Sequence, residues 1–308
     1  MAGAFTHMAL CRTAMYDPRL DADLGFDLQG ASQYAWLGAV SPDLPYLSWE
    51  PSTVNWADTF HYKSTNAVVL HCLEKLRETW QEKNDATQAK AAWVLGYVSH
   101  LVADATIHPI VQAIVGPYEI PANRTPHRIC EMTQDVLIYD AEINAELAYG
   151  ELSSYLRTCQ ESEAHVELMD FWAKGILASY PELGEPPDPG TWFKEYVDTI
   201  DISEGGSAVA AIFRHAGKGF VYQTVEDIRK NEVEYQRFYS MVKLPAEKTG
   251  SFRHDGFVYA RNNIVQVWNA AYAFLKGEGI SLGNVIRNCN LDTGIDMDNE
   301  NLPPLYWR

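Results

Sequence analysis

The sequence is short of positive charge, of strand-like segments and of paired cysteines, and each shortage closes off a class of function. Against 41 acidic residues stand 24 Lys and Arg, for a formal net charge of −17 at pH 7. An acidic surface repels phosphate backbones and anionic headgroups, and no Lys/Arg cluster interrupts it, so an electrostatic nucleic-acid platform is disfavoured. A bound cation could reverse that field inside a pocket. No run of about 18 apolar residues occurs, so no membrane-spanning helix is expected. The opening "MAGAFTHMALCRTAM" lacks a basic stretch followed by an uninterrupted apolar one, so no secretory signal is expected. Cys11, Cys72, Cys130, Cys159 and Cys289 are odd in number and form no CxxC pair, which points to reduced thiols and a cytoplasmic protein.

What is present is helix. The 308 residues are 47% hydrophobic and 21% charged, as in a globular protein with a full core. Spacings of three and four between apolar residues predict helices over 58–80, 86–115 and 126–158, the last beginning with Pro126 at its first position. Pro109 is expected to kink or interrupt the second. Further helices are expected near 163–180, 206–217, 221–240 and 256–276. The breakers "GAVSPDLPY" (38–46), "GPYEIPANRTP" (116–126), "PELGEPPDPG" (181–190) and "KLPAEKTGSF" (243–252) read as loops rather than linkers. There is no internal repeat, so the expectation is an all-α, single multi-helix domain spanning 1–308. The tail "LDTGIDMDNENLPPLYWR" carries Asp292, Asp296, Asp298 and Glu300 but not a full calcium-loop pattern, and a solvated acidic tail is expected.

The chemistry concentrates in "GYVSHLVADATIHPIV" (96–111). On a helix, positions i, i+4 and i+8 drift by only about 40° per step, so His100, Asp104 and His108 share one face. His127 and Glu131 repeat the spacing at the head of the next predicted helix, with Asp135 one turn further on. Either pattern alone is commonly a core hydrogen-bond pair. Two of them within 36 residues, in a chain with nine histidines, point to a site for more than one metal. Asp43 sits in the Pro-bounded loop "GAVSPDLPY", and His61 in "WADTFHYKS" near the expected start of a helix.

This ordered set resembles the zinc-dependent phospholipase C family: an Asp in a GAxxPD loop, a helix-borne His, GYxxHxxxDxxxH, then HxxxE. The same superfamily includes the catalytic domain of glycosylphosphatidylinositol-specific phospholipase D and the single-strand-specific zinc nucleases. The resemblance covers roughly residues 1–140. It implies a first zinc on Asp43, His61, His100 and Asp104, and a second on His108, His127 and Glu131. It implies a third on His7, the shared Asp104 and an N-terminal amine, here that of Ala2 once Met1 is removed. A carboxylate has two oxygens and can bridge two cations, which a neutral imidazole cannot. The separation of eight between His100 and His108 is the spacing associated with the glycosylphosphatidylinositol-specific branch.

The implied function is a zinc-dependent hydrolase of phosphoric ester bonds, a phospholipase C-like phosphodiesterase that uses a metal-bound hydroxide and two to three Zn2+ ions. Asp43 is either a ligand or the group that orients and deprotonates the water. The expected partner is a phosphoester, lipid or small molecule. A single-strand nuclease and a non-catalytic metal-stabilised helical module are the alternatives. Trp36, Trp49, Trp56 and Tyr62 either line a pocket near Asp43 and His61 or fill the core. Asp135 is either an acceptor for a ligand imidazole or a solvated position. Cys130 is expected in the core, and His71, His165, His215 and His254 are given no metal role.

Overall fold

A computed structural model describes residues 3–82, 84–144, 152–160, 162, 164–183, 188–204, 222–245 and 248–308. Helices dominate: α1 (Ala4–Met15), α2 (Ala22–Gly30), α3 (Ser32–Val40), α4 (Val54–Tyr62), α5 (Ala67–Thr79), α6 (Asp85–Val115), α7 (Pro121–Ile138), α8 (Leu152–Gln160), α9 (Ala164–Ser179) and α10 (Pro189–Glu204). Beyond them come short helices α11 (Val225–Lys230) and α12 (Glu232–Tyr235), and the long α13 (Val258–Leu275). The expected all-α class holds.

The axis of the fold is α6. The Asn84 side chain accepts the Thr87 N–H and caps its start, and Gly116 at φ 93° ends it. It is long and apolar enough to cross a bilayer, but 72% of its most apolar window is buried inside the protein. It is the core helix, covered by α1, α3, α5, α9 and α13. Helices α3 and α6 meet backbone to backbone. A Cβ at Gly96 would collide with the Ala35 carbonyl, and one at Gly38 with the Trp93 carbonyl. Only glycine permits that approach, and it sets the loop after α3 against the middle of α6.

Pro109 does not end the helix. It does leave the Ala105 carbonyl without its i+4 donor, and Gly294, at φ 66°, packs against that oxygen with no room for a Cβ. The Trp307 indole donates to the neighbouring Thr106 carbonyl at 2.8 Å. The C-terminal segment thus closes over the turn around Pro109.

Other expectations need correction. The helix expected over 58–80 is two helices, α4 and α5, with Ser64 at φ 44° between them. The break is satisfied from afar: Tyr180 donates to the Lys63 and Ser64 carbonyls, Thr65 Oγ1 to Cys289 O, and Asn66 Nδ2 to Ile286 O. His61 therefore lies in the last turn of α4, not near its start. The helix expected from Pro126 begins at Pro121, so Pro126 sits inside α7. It continues as a π-helical turn, Tyr139–Ile143, that stops at the left-handed Asn144. The 221–240 segment is broken into α11, whose Thr224–Asp227 capping box fixes its start, and α12. The 206–217 segment and His215 lie outside the described residues.

The breaker at 243–252 contributes to an antiparallel hairpin, β1 (Val242–Leu244) with β2 (Lys248–Gly250), in which Val242 pairs with Gly250. The tail is not simply solvated. Asp292 and Asp296 are buried, Asp296 beside Arg287 and Arg308, while Asp298 and Glu300 face solvent. All five cysteines are buried and unbridged.

Candidate metal centre

Five imidazoles and three carboxylates from five elements converge in the core: His7 from α1, Asp43 from the turn after α3, His61 from α4, His100, Asp104 and His108 from α6, and His127 and Glu131 from α7. All eight sequence-derived candidates meet, and all are buried. His100, Asp104 and His108 are 0% exposed, whereas Asp43 is 6% and Glu131 9%. Among the eight, Asp43 and Glu131 keep the most exposure.

The donor spacing suits a small cation. Two ligands on one zinc, each at about 2.0–2.2 Å in a tetrahedron, stand roughly 3.3–3.6 Å apart. His61 Nε2 lies 3.2 Å from Asp43 Oδ1, 3.4 Å from His100 Nε2 and 3.6 Å from Asp104 Oδ2, and His100 Nε2 lies 3.2 Å from Asp104 Oδ2. In the other group, His108 Nε2 is 3.4 Å and His127 Nε2 2.9 Å from Glu131 Oε1. Asp104 divides its oxygens between the two sides. Oδ2 faces His61 and His100, while Oδ1 faces His7 at 3.1 Å and His108 at 3.5 Å. That is the arrangement a bridging carboxylate needs. His7 stacks on His100 with ring centroids 4.1 Å apart. Ala2, whose amine the third metal would require, lies outside the described residues.

The imidazoles are already turned for coordination. His61 Nδ1 lies 2.7 Å from the Ala57 carbonyl, His100 Nδ1 2.9 Å from Ala39, and His108 Nδ1 2.8 Å from Leu291. A carbonyl can only accept, so each Nδ1 carries the proton and each Nε2 presents its lone pair inward. His108 Nε2 and Asp43 Oδ1 have no hydrogen-bond partner despite full burial. Uncompensated atoms of this kind are costly unless a cation satisfies them. Burial alone would push the carboxyls toward neutrality. Without a cation, protonated His100 and His61 hold Asp43 below the usual carboxylate range, and protonated His108, His100 and His7 do the same for Asp104. Asp104 in turn raises His108 against its burial. The carboxylates thus call for positive charge, which a metal supplies when the imidazoles are neutral. Burial lowers His127 against the opposing pull of Glu131, which favours the neutral, ligating form. The residues fit a zinc site.

A scan against protein families matches residues 6–181 to the zinc-dependent phospholipase C model, more than half of the chain. The chain belongs to the zinc-dependent phospholipase C family. Neither a curated protein nor a solved structure matches it. Family membership makes it a phospholipase C-like hydrolase that depends on zinc, and the matched region extends beyond residue 140, past the reach of the motifs. Every element that carries one of the eight candidates lies wholly or almost wholly inside it.

Around the metal centre of this phospholipase C-like chain stand tyrosines. The Tyr46 ring is 5.4 Å from His61, Tyr62 6.2 Å from His61, and Tyr118 5.0 Å from His127. Tyr46 donates to Asp58 and Tyr62 to Asp292. The Arg124 guanidinium lies 5.6 Å over Tyr118. Of the four aromatics expected near Asp43 and His61, only Tyr62 is among these. Trp36 packs on Tyr155, Trp56 on Phe60 and Trp192, and Trp49 is 65% exposed. Asp135 is neither an acceptor for a ligand imidazole nor solvated. It is buried, accepts the Thr6 N–H and hydroxyl, and takes the Tyr222 hydroxyl at 2.8 Å, so it pins the start of α1 to α7. Cys130 is in the core. Tyr46 and Tyr118 carry no sequence signal for the site, and Asp292, expected in a solvated tail, is buried beside it. Nothing in their spacing marks them, because tertiary contacts alone bring them to the site.

Proposed function

We propose that the chain is a phosphodiesterase of phospholipase C type, with 1–308 acting as one unit and two to three zinc ions on the eight residues above. The observation that carries this reading is the split of Asp104, one oxygen to each ligand group, at the centre of a buried, pre-oriented imidazole cluster. When bound, zinc supplies positive charge for the phosphoryl oxygens and acidifies a water for in-line attack. The remaining tasks belong to the chain. Asp104 holds the two ligand groups in register. Asp43 would offer Oδ1 to the zinc beside His61, and its second oxygen is the one left to orient the attacking water and take its proton. His108, His127 and Glu131 would hold the zinc whose charge steadies the phosphate or the departing oxygen on the leaving-group side. Tyr46, Tyr62 and Tyr118 wall the approach and exclude bulk water.

The acidic groups near the approach, Asp58 and Asp292, favour a substrate with a single phosphodiester over a polynucleotide, in keeping with the net charge of −17. Turnover by the zinc-loaded protein on p-nitrophenyl phosphorylcholine, a bis-aryl phosphodiester and single-stranded oligonucleotides tests the reading. Cleavage of either small diester supports it, and cleavage of oligonucleotides alone replaces it with a nuclease. Inactivity on all three, at full zinc content, removes it in favour of a non-catalytic module.

A further inference from the structure

The segment from Asn288 to Trp307 lies outside the family-matched residues, yet it reaches both ligand groups. The Leu291 carbonyl accepts the His108 Nδ1–H at 2.8 Å, and the Leu291 N–H donates to the His61 carbonyl at 3.1 Å. Asp292 follows and is buried. Its Oδ1 stands 3.5 Å from His108 Nδ1, and its Oδ2 accepts the Tyr62 hydroxyl at 2.9 Å. The turn that presents it is fixed locally, since Asn290 Oδ1 accepts the backbone N–H of Asp292 and of Thr293. It is fixed from afar by Gly294 against the Ala105 carbonyl and by Leu305 N–H on Gly294 O at 2.7 Å.

We propose that Asp292 is a positioning residue of the metal centre, acting through His108 and Tyr62. It faces Nδ1 rather than Nε2 of His108, so it is placed behind the imidazole and not among the metal donors. A carboxylate there favours the Nδ1-protonated tautomer that the Leu291 carbonyl also selects, and it makes Nε2 the stronger donor. The second oxygen holds the Tyr62 phenol beside His61. One side chain thereby couples the ligand on α6 to the wall of the approach, from a segment that family membership does not require. The role rests on the metal-centre reading above.

Zinc affinity, measured by competition with a chromophoric chelator on the full chain, tests it without any substrate. Asp292→Asn should weaken one zinc equivalent by about 10- to 100-fold and leave the rest unchanged. In the zinc-loaded protein the His108 Nδ1–H proton resonance should move upfield. Tyr62→Phe should keep zinc affinity and raise KM with kcat little changed. Asp292→Ser is read in the same way if the Asn variant does not fold, because either removes the charge. Glu131→Gln serves as the reference, since it removes a proposed ligand. If Glu131→Gln loses a zinc equivalent while the Asp292 variants bind every equivalent like wild type, the positioning role is overturned and the metal centre stands. If Glu131→Gln also keeps all zinc, the metal centre falls and the role of Asp292 with it.

Discussion

The two ligand groups on α6 use the same chemistry but are supported differently. The His61–His100 group is braced by helix backbone close at hand. His61 leans on Ala57 of its own helix, and His100 on Ala39 of α3, which the paired glycines Gly38 and Gly96 press against α6. The His108–His127–Glu131 group sits beside Pro109, where α6 gives up a backbone hydrogen bond, and His108 leans on Leu291, 183 residues away in sequence. The imidazoles of the first group thus take their Nδ1 supports from the helical core, and the C-terminal segment touches that group only through the His61 backbone carbonyl. The second is complete only when the C-terminal segment closes. Asp104 and the α1–α7 tie through Asp135 connect them.

The strongest way to break this comparison is to remove what the groups share. Asp104→Asn should cost both sides, lowering zinc content by more than one equivalent and turnover by at least about 100-fold, since losing even an outer partner of a ligand costs 10- to 100-fold. A variant with full zinc by elemental analysis and full turnover would mean that the groups are independent of Asp104. Removing zinc with a chelator should lower Tm by roughly 10 °C, because a ligand that binds only the folded state stabilises it by mass action. The loss should be smaller in Glu131→Gln, which has already surrendered one group, and an equal loss in both proteins would contradict the division.

Asp135 sharpens the connection between the groups. Burial lifts its carboxyl from 3.8 to about 7, against the pull of the Thr6 and Tyr222 hydrogen bonds. The unfolded chain therefore ionises first, and stability from this group is highest below about pH 4 and falls as pH rises toward 7. Asp135→Asn removes that slope, so its stability relative to wild type should improve across this range by up to about 4 kcal/mol. Denaturant unfolding at several pH values checks this, and a pH-independent difference would refute it. Gly96→Ala should destabilise by about 3 kcal/mol, as overpacked cores do, and loosen the His100 group while sparing the His108 group in zinc titrations. The smallest effect belongs to the C-terminal closure. Trp307→Phe deletes one hydrogen bond to Thr106 O and should cost about 1 kcal/mol in equilibrium unfolding, with zinc loss confined to the His108 group.

Much of the site was legible in the chain because helices obey a short period. His100, Asp104 and His108, and again His127 and Glu131, fall on common faces by spacing alone, and the GAxxPD loop announces Asp43. Boundaries were less legible. The break at Ser64 and the start of α7 at Pro121 depend on partners such as Tyr180 and on turn conformations that local propensity does not encode. The hairpin at 242–250 was invisible because three-residue strands leave no periodic signal.

By itself, then, the sequence determined the helical class and, through residue type and spacings within single helices, His100, Asp104, His108, His127 and Glu131, while His7, Asp43 and His61 joined them through the resemblance to the family. Only the tertiary structure decided which oxygen of Asp104 faces which imidazole, that Asp135 caps α1, and that Asp292 leaves the tail to stand behind His108. These depend on segments up to 230 residues apart being brought within a few ångströms, and no local pattern records a distance of that kind.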